Sequence, residues 1–338
     1  MTFTKVLMKT VRISRANFPG VGNFSWLNFF HKILSKKYNV IIDSKNPDIV
    51  FYTNQFYREG ELDYYTNDII KGETEYGPEV KKIFLSGEAR PDFNSHLNKG
   101  ENYHCMGYEH LTHDRYLRFP TYVLDAFVLH NEGGLFDSDF GWLTEKRDSE
   151  TILNNKKHFC SIVQASYNPD REKLFDEITK THWIKSSGPW RQTIDDSEGL
   201  NPHKYHNYSN PDYMGRIDGL TYRDKIIFFS DSMFNIAYQF TDTDYLTQEK
   251  IVHAYASNSI PIFYGNKFIE EEGFNPKSFV NAHDFESIEE LVNYLNDLYE
   301  DRDRLKSFFE EPIFKDNKLP IYFDEDYVLS FLDKIIEN

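Results

Sequence analysis

The chain alternates between short, wholly apolar runs and longer segments that carry a single apolar stripe. FNIAYQF (Phe234–Phe240) and SIPIFYG (Ser259–Gly265) are short, apolar and aromatic, as strands covered on both faces are. Between them QEKIVHAYA places Ile251 with Tyr255 and Val252 with Ala256 at i, i+4, the stripe of a helix lying on a sheet. The pattern predicts two parallel strands joined by this helix, with Thr247 as its N-cap. Glu249 and Lys250 then fall in the first helical turn. A cation is the wrong charge for helix stability at that end. It suits an N-terminus that faces a phosphate, where unpaired N–H groups and the dipole favour an anion.

The rest of the chain repeats the alternation. KVLMKTVRI is a predicted first strand, PGVGN a turn, and Asn23 the cap of a helix FSWLNFFHKILSKK with Trp26, Phe30, Ile33 and Leu34 inward. NVIID and DIVFYTN are the next strands. PGVG lacks the patterns of a dinucleotide or phosphate loop and reads as a tight turn. KKIFLSGE is a strand ending in Ser86-Gly87-Glu88. A carboxylate beyond the carboxyl end of a strand is well placed for chemistry in an open α/β sheet; capping of the next segment is the structural alternative. Further on, HFCSIVQAS is a strand, Asn168 an N-cap with Pro169 in the first helical position, and DREKLFDEITK a helix burying Leu174, Phe175 and Ile178. THWIKSSG is the next strand, followed by GPWRQ, and NPKSFVNA a later one. Ser287 with Glu290 forms a capping box. The tail from Asp324 pairs Tyr327/Val328, Phe331/Leu332 and Ile335/Ile336 on one face. A polar, aperiodic stretch at Glu145–Lys156 marks the expected boundary between two α/β units, 1–150 and 151–338. Doubly wound sheets are the expected class.

Composition narrows the possible partners. With 29 Phe and 23 Tyr in 338 residues, apolar material for a core is ample. No window reaches about 18 uninterrupted apolar residues, so no transmembrane segment is expected. The apolar start MTFTKVLM is too short and too charged for a signal peptide. A net charge of −16 argues against nucleic acid, anionic lipid and heparin-like partners. Any anion site must then rest on a few placed Arg and Lys residues. Cys105 and Cys160 cannot make a disulfide framework, and His104, His110 and His113 lack the spacing of a metal set. A cytoplasmic location, peripheral to the membrane at most, is the expectation.

The run from Phe234 through YLTQEKIVHAY and SIPIFYG to FNPKSFVNAHDF resembles the donor-binding motif of the α1,3/4-fucosyltransferases, glycosyltransferase family ten, of the bacterial soluble type. Phe234, Asn235, Tyr245, Thr247, Glu249, Lys250, Ile260, Pro261 and Gly265 follow the pattern. The departures are Ser232-Met233 for Tyr-Lys, Gln239-Phe240 for Glu-Asn, and an extra Gln248. The resemblance implies a GT-B fold, two Rossmann-like domains facing across a cleft: an acceptor domain over 1–150 and a GDP-fucose domain over 151–338. The last helix (about 324–338) would pack back on the first domain. It implies inverting transfer of L-fucose from GDP-fucose to a hydroxyl, expected at O3 of a GlcNAc-type residue of an oligosaccharide acceptor.

Residue by residue, SGE followed by PDFN carries the family's general base onto Glu88. Arg191 matches its phosphate-contacting arginine, and with Lys250 would stabilise the departing GDP. Tyr245 is suited to a phosphate oxygen and Glu249 to sugar or ribose hydroxyls. Ser166 and Asn168, with Arg171, match an S-N…R segment. Asn235 and Thr247 lie in the donor motif. Arg115 and Arg118, in DRYLRFP, either orient acceptor or brace the interdomain cleft; packing of their stems against Tyr116 and Phe119, with Asp114 as partner, is the structural alternative. For Arg171 a solvated place on the helix is the alternative. Asp242-Thr243-Asp244 has the look of a metal-holding triplet. GT-B enzymes generally use basic residues instead, so no essential cofactor and no metal ligands are expected. Two other functions stay open: transfer from a different nucleotide sugar, and nucleotide or glycan binding without turnover.

Overall fold

The structure is a computed structural model. It describes residues 8–16, 26–53, 76–87, 92–131, 140–164, 167–188, 190–194 and 222–338. By internal contacts the chain forms two compact units, Met1–Leu124 with Ile321–Asn338, and Asp125–Pro320. The division falls within the helix Tyr122–Asn131, upstream of the polar stretch at Glu145–Lys156.

In the first unit the strands are β1 (Thr10–Ala16), β2 (Asn39–Ile42), β3 (Ile49–Tyr52), β4 (Lys81–Leu85), β5 (Tyr103–Gly107) and β6 (Tyr116–Arg118). They pair in parallel in the order β2-β1-β3-β4-β5-β6. The first strand begins at Thr10, five residues later than the apolar run KVLMKTVRI suggests. Central β3 is buried at every position, as a strand covered on both faces must be. Helix α1 (Trp26–Leu34) buries Trp26, Leu27, Phe29, Phe30, Ile33 and Leu34, and Phe30 stacks on Phe51 of β3. The predicted cap Asn23 lies outside the described residues. Helix α2 (Phe93–Leu97) is capped by Asp92, and α3 is the helix Tyr122–Asn131.

The terminal helix also belongs to this unit. It spans Glu325–Glu337, is capped by Asp324, and buries Val328, Phe331, Leu332 and Ile335. Its acidic side meets the basic end of α1: Lys36 pairs with Glu325 at 2.5 Å and Lys37 with Asp333 at 2.6 Å, while the Tyr38 hydroxyl donates to Asp333.

The second unit holds β7 (His158–Val163), β8 (Ile184–Ser187), β9 (Ser232–Tyr238), β10 (Ile260–Tyr264) and β11 (Val280–Asn281). All pairs are parallel, in the order β11-β10-β9-β7-β8. NPKSFVNA contributes only the two-residue β11. The helices are α4 (Ser149–Asn154), α5 (Pro169–Ile178), α6 (Tyr222–Phe229), α7 (Lys250–Ala256), α8 (Ile288–Glu300) and α9 (Arg302–Glu310); the terminal helix is α10. Asn168 caps α5 with Pro169 in its first turn, and Ser287 Oγ accepts from Glu290 N at 3.1 Å to open α8. Phe234, Ile236, Ile260, Ile262, Leu174, Ile178, Leu295 and Leu298 meet in one apolar core between sheet and helices.

Candidate active site

The strand order of the second unit locates the site. From β7 the chain goes to β8 on one side of the sheet and then to β9, β10 and β11 on the other. The gap between β7 and β9 is therefore a topological switch point, where diverging connections leave a crevice at the carboxyl ends of the strands. A cavity of about 40 Å³ lies there, room for roughly three water molecules. Its charged lining is Arg171 of α5, Lys225 of α6, and Glu249 and Lys250 at the start of α7. Three cationic side chains and one carboxylate border it. A lining richer in cations than in carboxylates suits an anionic guest.

Local structure explains how each group arrives. Asn168 Oδ1 accepts from Asp170 N and Arg171 N at 3.1 and 3.0 Å, while its Nδ2 donates to Phe240 O at 3.1 Å. The first turn of α5 is thereby tied to the chain leaving β9. Arg171 adds two bonds, Nε and Nη2 donating to Tyr238 O at 3.1 and 2.8 Å. Its guanidinium is buried, not solvated on the helix. Asn235 Nδ2 donates to Ser161 O at 3.2 Å, bridging β9 to β7 beneath the cavity.

Helix α7 begins later than the sequence pattern predicts. Glu249 is its N-cap, in helical conformation and without a side-chain capping bond, and Lys250 is its first residue. Thr247 is not the cap; its Oγ1 accepts from Asn266 Nδ2 at 3.1 Å. Asn266, fully buried, also takes Tyr245 N at 2.8 Å and Phe268 N at 2.9 Å on its Oδ1. It pins the loop that delivers Glu249 and Lys250, and no sequence pattern singled it out. Gln239 does similar work: with its amide oriented by the hydrogen-bond network, nitrogen donates to Leu246 O at 2.7 Å and oxygen accepts from Gln248 N at 3.1 Å.

Lys250 Nζ lies 3.0 Å from Glu249 Oε1. Burial lowers the pKa of Lys250, with Arg171 and Lys225 adding to the effect and Glu249 opposing it. Burial alone would raise Glu249, but the cations Lys250 and Lys225 hold it far below the usual carboxylate range. Burial pushes His253 down to about 3, so it stays neutral at neutral pH. Glu249 is thus held as a carboxylate beside Lys250, with Arg171 and Lys225 as further cations of the lining.

The remaining candidates sit elsewhere. Arg191 has a φ of 57° and is held on α5, Nε to Glu172 at 2.8 Å and Nη2 to Asp176 at 2.8 Å. It does not line the cavity; that place belongs to Arg171. Tyr245 stacks on Phe268 with centroids 4.7 Å apart. Arg115 donates to Leu97 O at 2.9 Å, Tyr103 O at 2.8 Å and Gly100 O, bracing the loop after α2. Asp242 pairs with Lys267 at 3.2 Å. Glu88 and Ser166 lie outside the described residues. The strand that precedes Glu88, β4, ends at Leu85, and a Cβ added at Gly87 would come within 2.2 Å of Thr121 Oγ1. No group of three or more potential metal ligands occurs among the described residues, and no described helix is long and apolar enough to cross a membrane.

Comparison with known proteins converges on the same segment. Residues 220–312 match the family model for the C-terminal domain of glycosyltransferase family 10 (fucosyltransferase). The chain is 26% identical over 288 residues to the α-(1,3)-fucosyltransferase FucT of Helicobacter pylori, an alignment covering 77% of this chain and 53% of that protein. The chain thus spans about half the length of this curated relative. Among solved structures it is similar to an α1,3-fucosyltransferase with GDP-fucose (TM-score 0.64, 24% identity, 100% of this chain and 94% of that one). The same comparison with a GDP complex gives a TM-score of 0.67 at 22% identity, covering 100% and 93%. At these identities the likeness is one of fold, and the fold is GT-B, with two parallel sheets of Rossmann type.

Proposed function

We propose that this chain, whose residues 220–312 match the glycosyltransferase family 10 model, is a member of that family and transfers L-fucose from GDP-fucose to a hydroxyl of an acceptor glycan. The observation that carries this reading is the charge balance at the switch point, where Arg171, Lys225 and Lys250 outnumber Glu249. The diphosphate diester of a nucleotide sugar is a dianion and answers that excess. Lys250 and Arg171 are proposed as its main partners, Arg171 taking the role that the sequence pattern gave to Arg191. As fucose leaves, charge grows on the β-phosphate, and fixed cations in a water-poor cavity stabilise it without reorganising. Glu249, ionised at the mouth of α7, accepts hydrogen bonds from sugar hydroxyls. No divalent metal is required in this scheme, since the cations are the protein's own.

Glu88 is proposed as the general base that takes the proton of the attacking hydroxyl, with inversion at the anomeric carbon and O3 of a GlcNAc-type residue as acceptor. Asn235, Tyr245 and Thr247 are proposed to shape the donor loop, and Arg115 the acceptor side. A cytoplasmic location belongs to the same proposal and is supported by two buried free thiols, Cys105 and Cys160.

The test is incubation with GDP-fucose and a panel of glycan acceptors, with fucosylated product read by mass spectrometry. Glu88→Gln is expected to bind GDP-fucose normally and to transfer about 10²–10⁴-fold more slowly. Near-normal transfer by that variant would remove the base assignment. Transfer from another nucleotide sugar, in preference to GDP-fucose, is the second reading; Gln239 and Phe240, the residues that depart from the family motif, favour testing it with a donor screen.

A further inference from the structure

Two large aromatic side chains are left standing in solvent at the carboxyl edge of the second sheet. Tyr167 is 55% exposed and Phe240 60%. Isolated exposed aromatics are ordinary. These two are not isolated from each other or from the site. Tyr167 immediately precedes Asn168, whose Nδ2 donates to the carbonyl of Phe240 at 3.1 Å. One asparagine therefore ties together the backbones that carry both rings.

The same clamp fixes their relation to the cavity. Asn168 caps the turn that carries Arg171, and Arg171 is bound to Tyr238 O, two residues before Phe240. Tyr167 thus lies just before the capped turn that carries Arg171. Trp190 packs against Tyr167. Its ring meets Tyr167 edge-on with centroids 5.2 Å apart. Its indole N–H donates to Glu172, which also accepts from Arg191 Nε at 2.8 Å. The contacts of Arg191 with Glu172 and Asp176 thereby serve to hold the residue next to it, Trp190, in place.

An anion socket of about 40 Å³ is too small for more than the charged part of a nucleotide. The remainder must lie outside, over whatever borders the socket. Beyond the lining residues Arg171 and Tyr238, the same two chain segments carry the exposed rings of Tyr167 and Phe240. We propose that Tyr167 and Phe240 form a stacking platform for the nucleobase of the donor, with Trp190 as its buttress. This rests on the donor reading given above and extends it from the diphosphate to the base. A platform of flat rings binds through π-faces, which every base has. It therefore contributes affinity for the nucleoside and only a graded preference for larger bases. Phe240 is also one of the residues at which the chain departs from the family motif, so the platform is a property of this chain.

The test uses GDP and inorganic pyrophosphate as probes, titrated calorimetrically into the full chain and into Tyr167→Ala, Phe240→Ala and Tyr167→Phe. Both rings are more than half exposed, so the alanine variants are expected to fold. Each alanine variant should weaken GDP roughly 5- to 150-fold and leave pyrophosphate within about twofold. Tyr167→Phe, which keeps the ring, should bind GDP like the unmodified protein. If both alanine variants bind GDP normally, the platform falls while the donor reading stands; a raised acceptor KM in those variants would hand the rings to the acceptor sugar. Equal weakening of GDP and pyrophosphate would reduce the rings to braces of the socket and overturn the platform. If the unmodified protein binds neither probe, the donor reading fails and takes the platform with it.

Discussion

Arg171 and Arg191 offer the sharpest test of where the diphosphate binds. Both are on or against α5, both are arginines, and their surroundings predict opposite outcomes. Arg171→Ala removes one of the three cationic side chains that line the cavity. A hydrogen bond to a charged group contributes about 1.5–3 kcal/mol, so GDP should bind roughly 10- to 150-fold more weakly. The variant also strips Tyr238 O of two donors, which costs about 1–3 kcal/mol of stability. Arg171→Lys keeps the charge but loses the fork and should fall between. Arg191→Ala breaks ion pairs with Glu172 and Asp176 at a side chain that is 41% exposed. Solvent screens such pairs, so the loss of stability should stay within about 1 kcal/mol, and GDP affinity should change less than about threefold. Calorimetric titration of GDP at fixed salt, beside thermal unfolding of the same samples, reads both quantities. A large loss of affinity in Arg191→Ala with none in Arg171→Ala would overturn the placement of the diphosphate in this cavity.

Other consequences concern metal, acid and backbone. Chelation by EDTA should leave GDP affinity and transfer largely intact; a Mn²⁺-reversible loss would instead promote Asp242 and Asp244 to metal ligands. Burial lowers His104 to about 4, helped by Lys81, Arg115 and His113, so the fold holds it neutral while the unfolded chain protonates near its ordinary value. Its contribution is complete above about pH 6.5 and is lost as pH falls towards 4, by roughly 3 kcal/mol. His104→Leu should flatten that part of the unfolding-versus-pH curve, and parallel curves for variant and parent would count against it. Gly188 has a φ of 107°, and a Cβ there would lie 2.0 Å from Gln164 O. Gly188→Ala should lower stability by roughly 1–3 kcal/mol or more, and an unchanged Tm would contradict the close approach.

Much of the fold is legible in the apolar pattern alone. Phe234–Tyr238 and Ile260–Tyr264 are buried strands in parallel register, because runs without polar alternation have no solvent face to offer. Asn168-Pro169 and Ser287 with Glu290 start helices where their side-chain chemistry says they should. Strand order is not legible, since each βαβ unit can add to either side of the first strand, and only packing decides. That order creates the switch point and hence the site. The motif carried Glu249 and Lys250 to the cavity directly, because they adjoin in sequence. It matched Arg191 to the phosphate-contacting arginine and left Arg171 with a solvated alternative. Both follow a strand of the same sheet, and the difference lies in which neighbours their guanidinium groups reach: Tyr238 O for one, Glu172 and Asp176 for the other. Lys225 and Asn266 carry no local signal at all. Residues far apart along the chain become one electrostatic site only when the sheet brings α5, α6 and α7 to one edge, and charge compensation at that edge is a property of the assembled structure rather than of any segment.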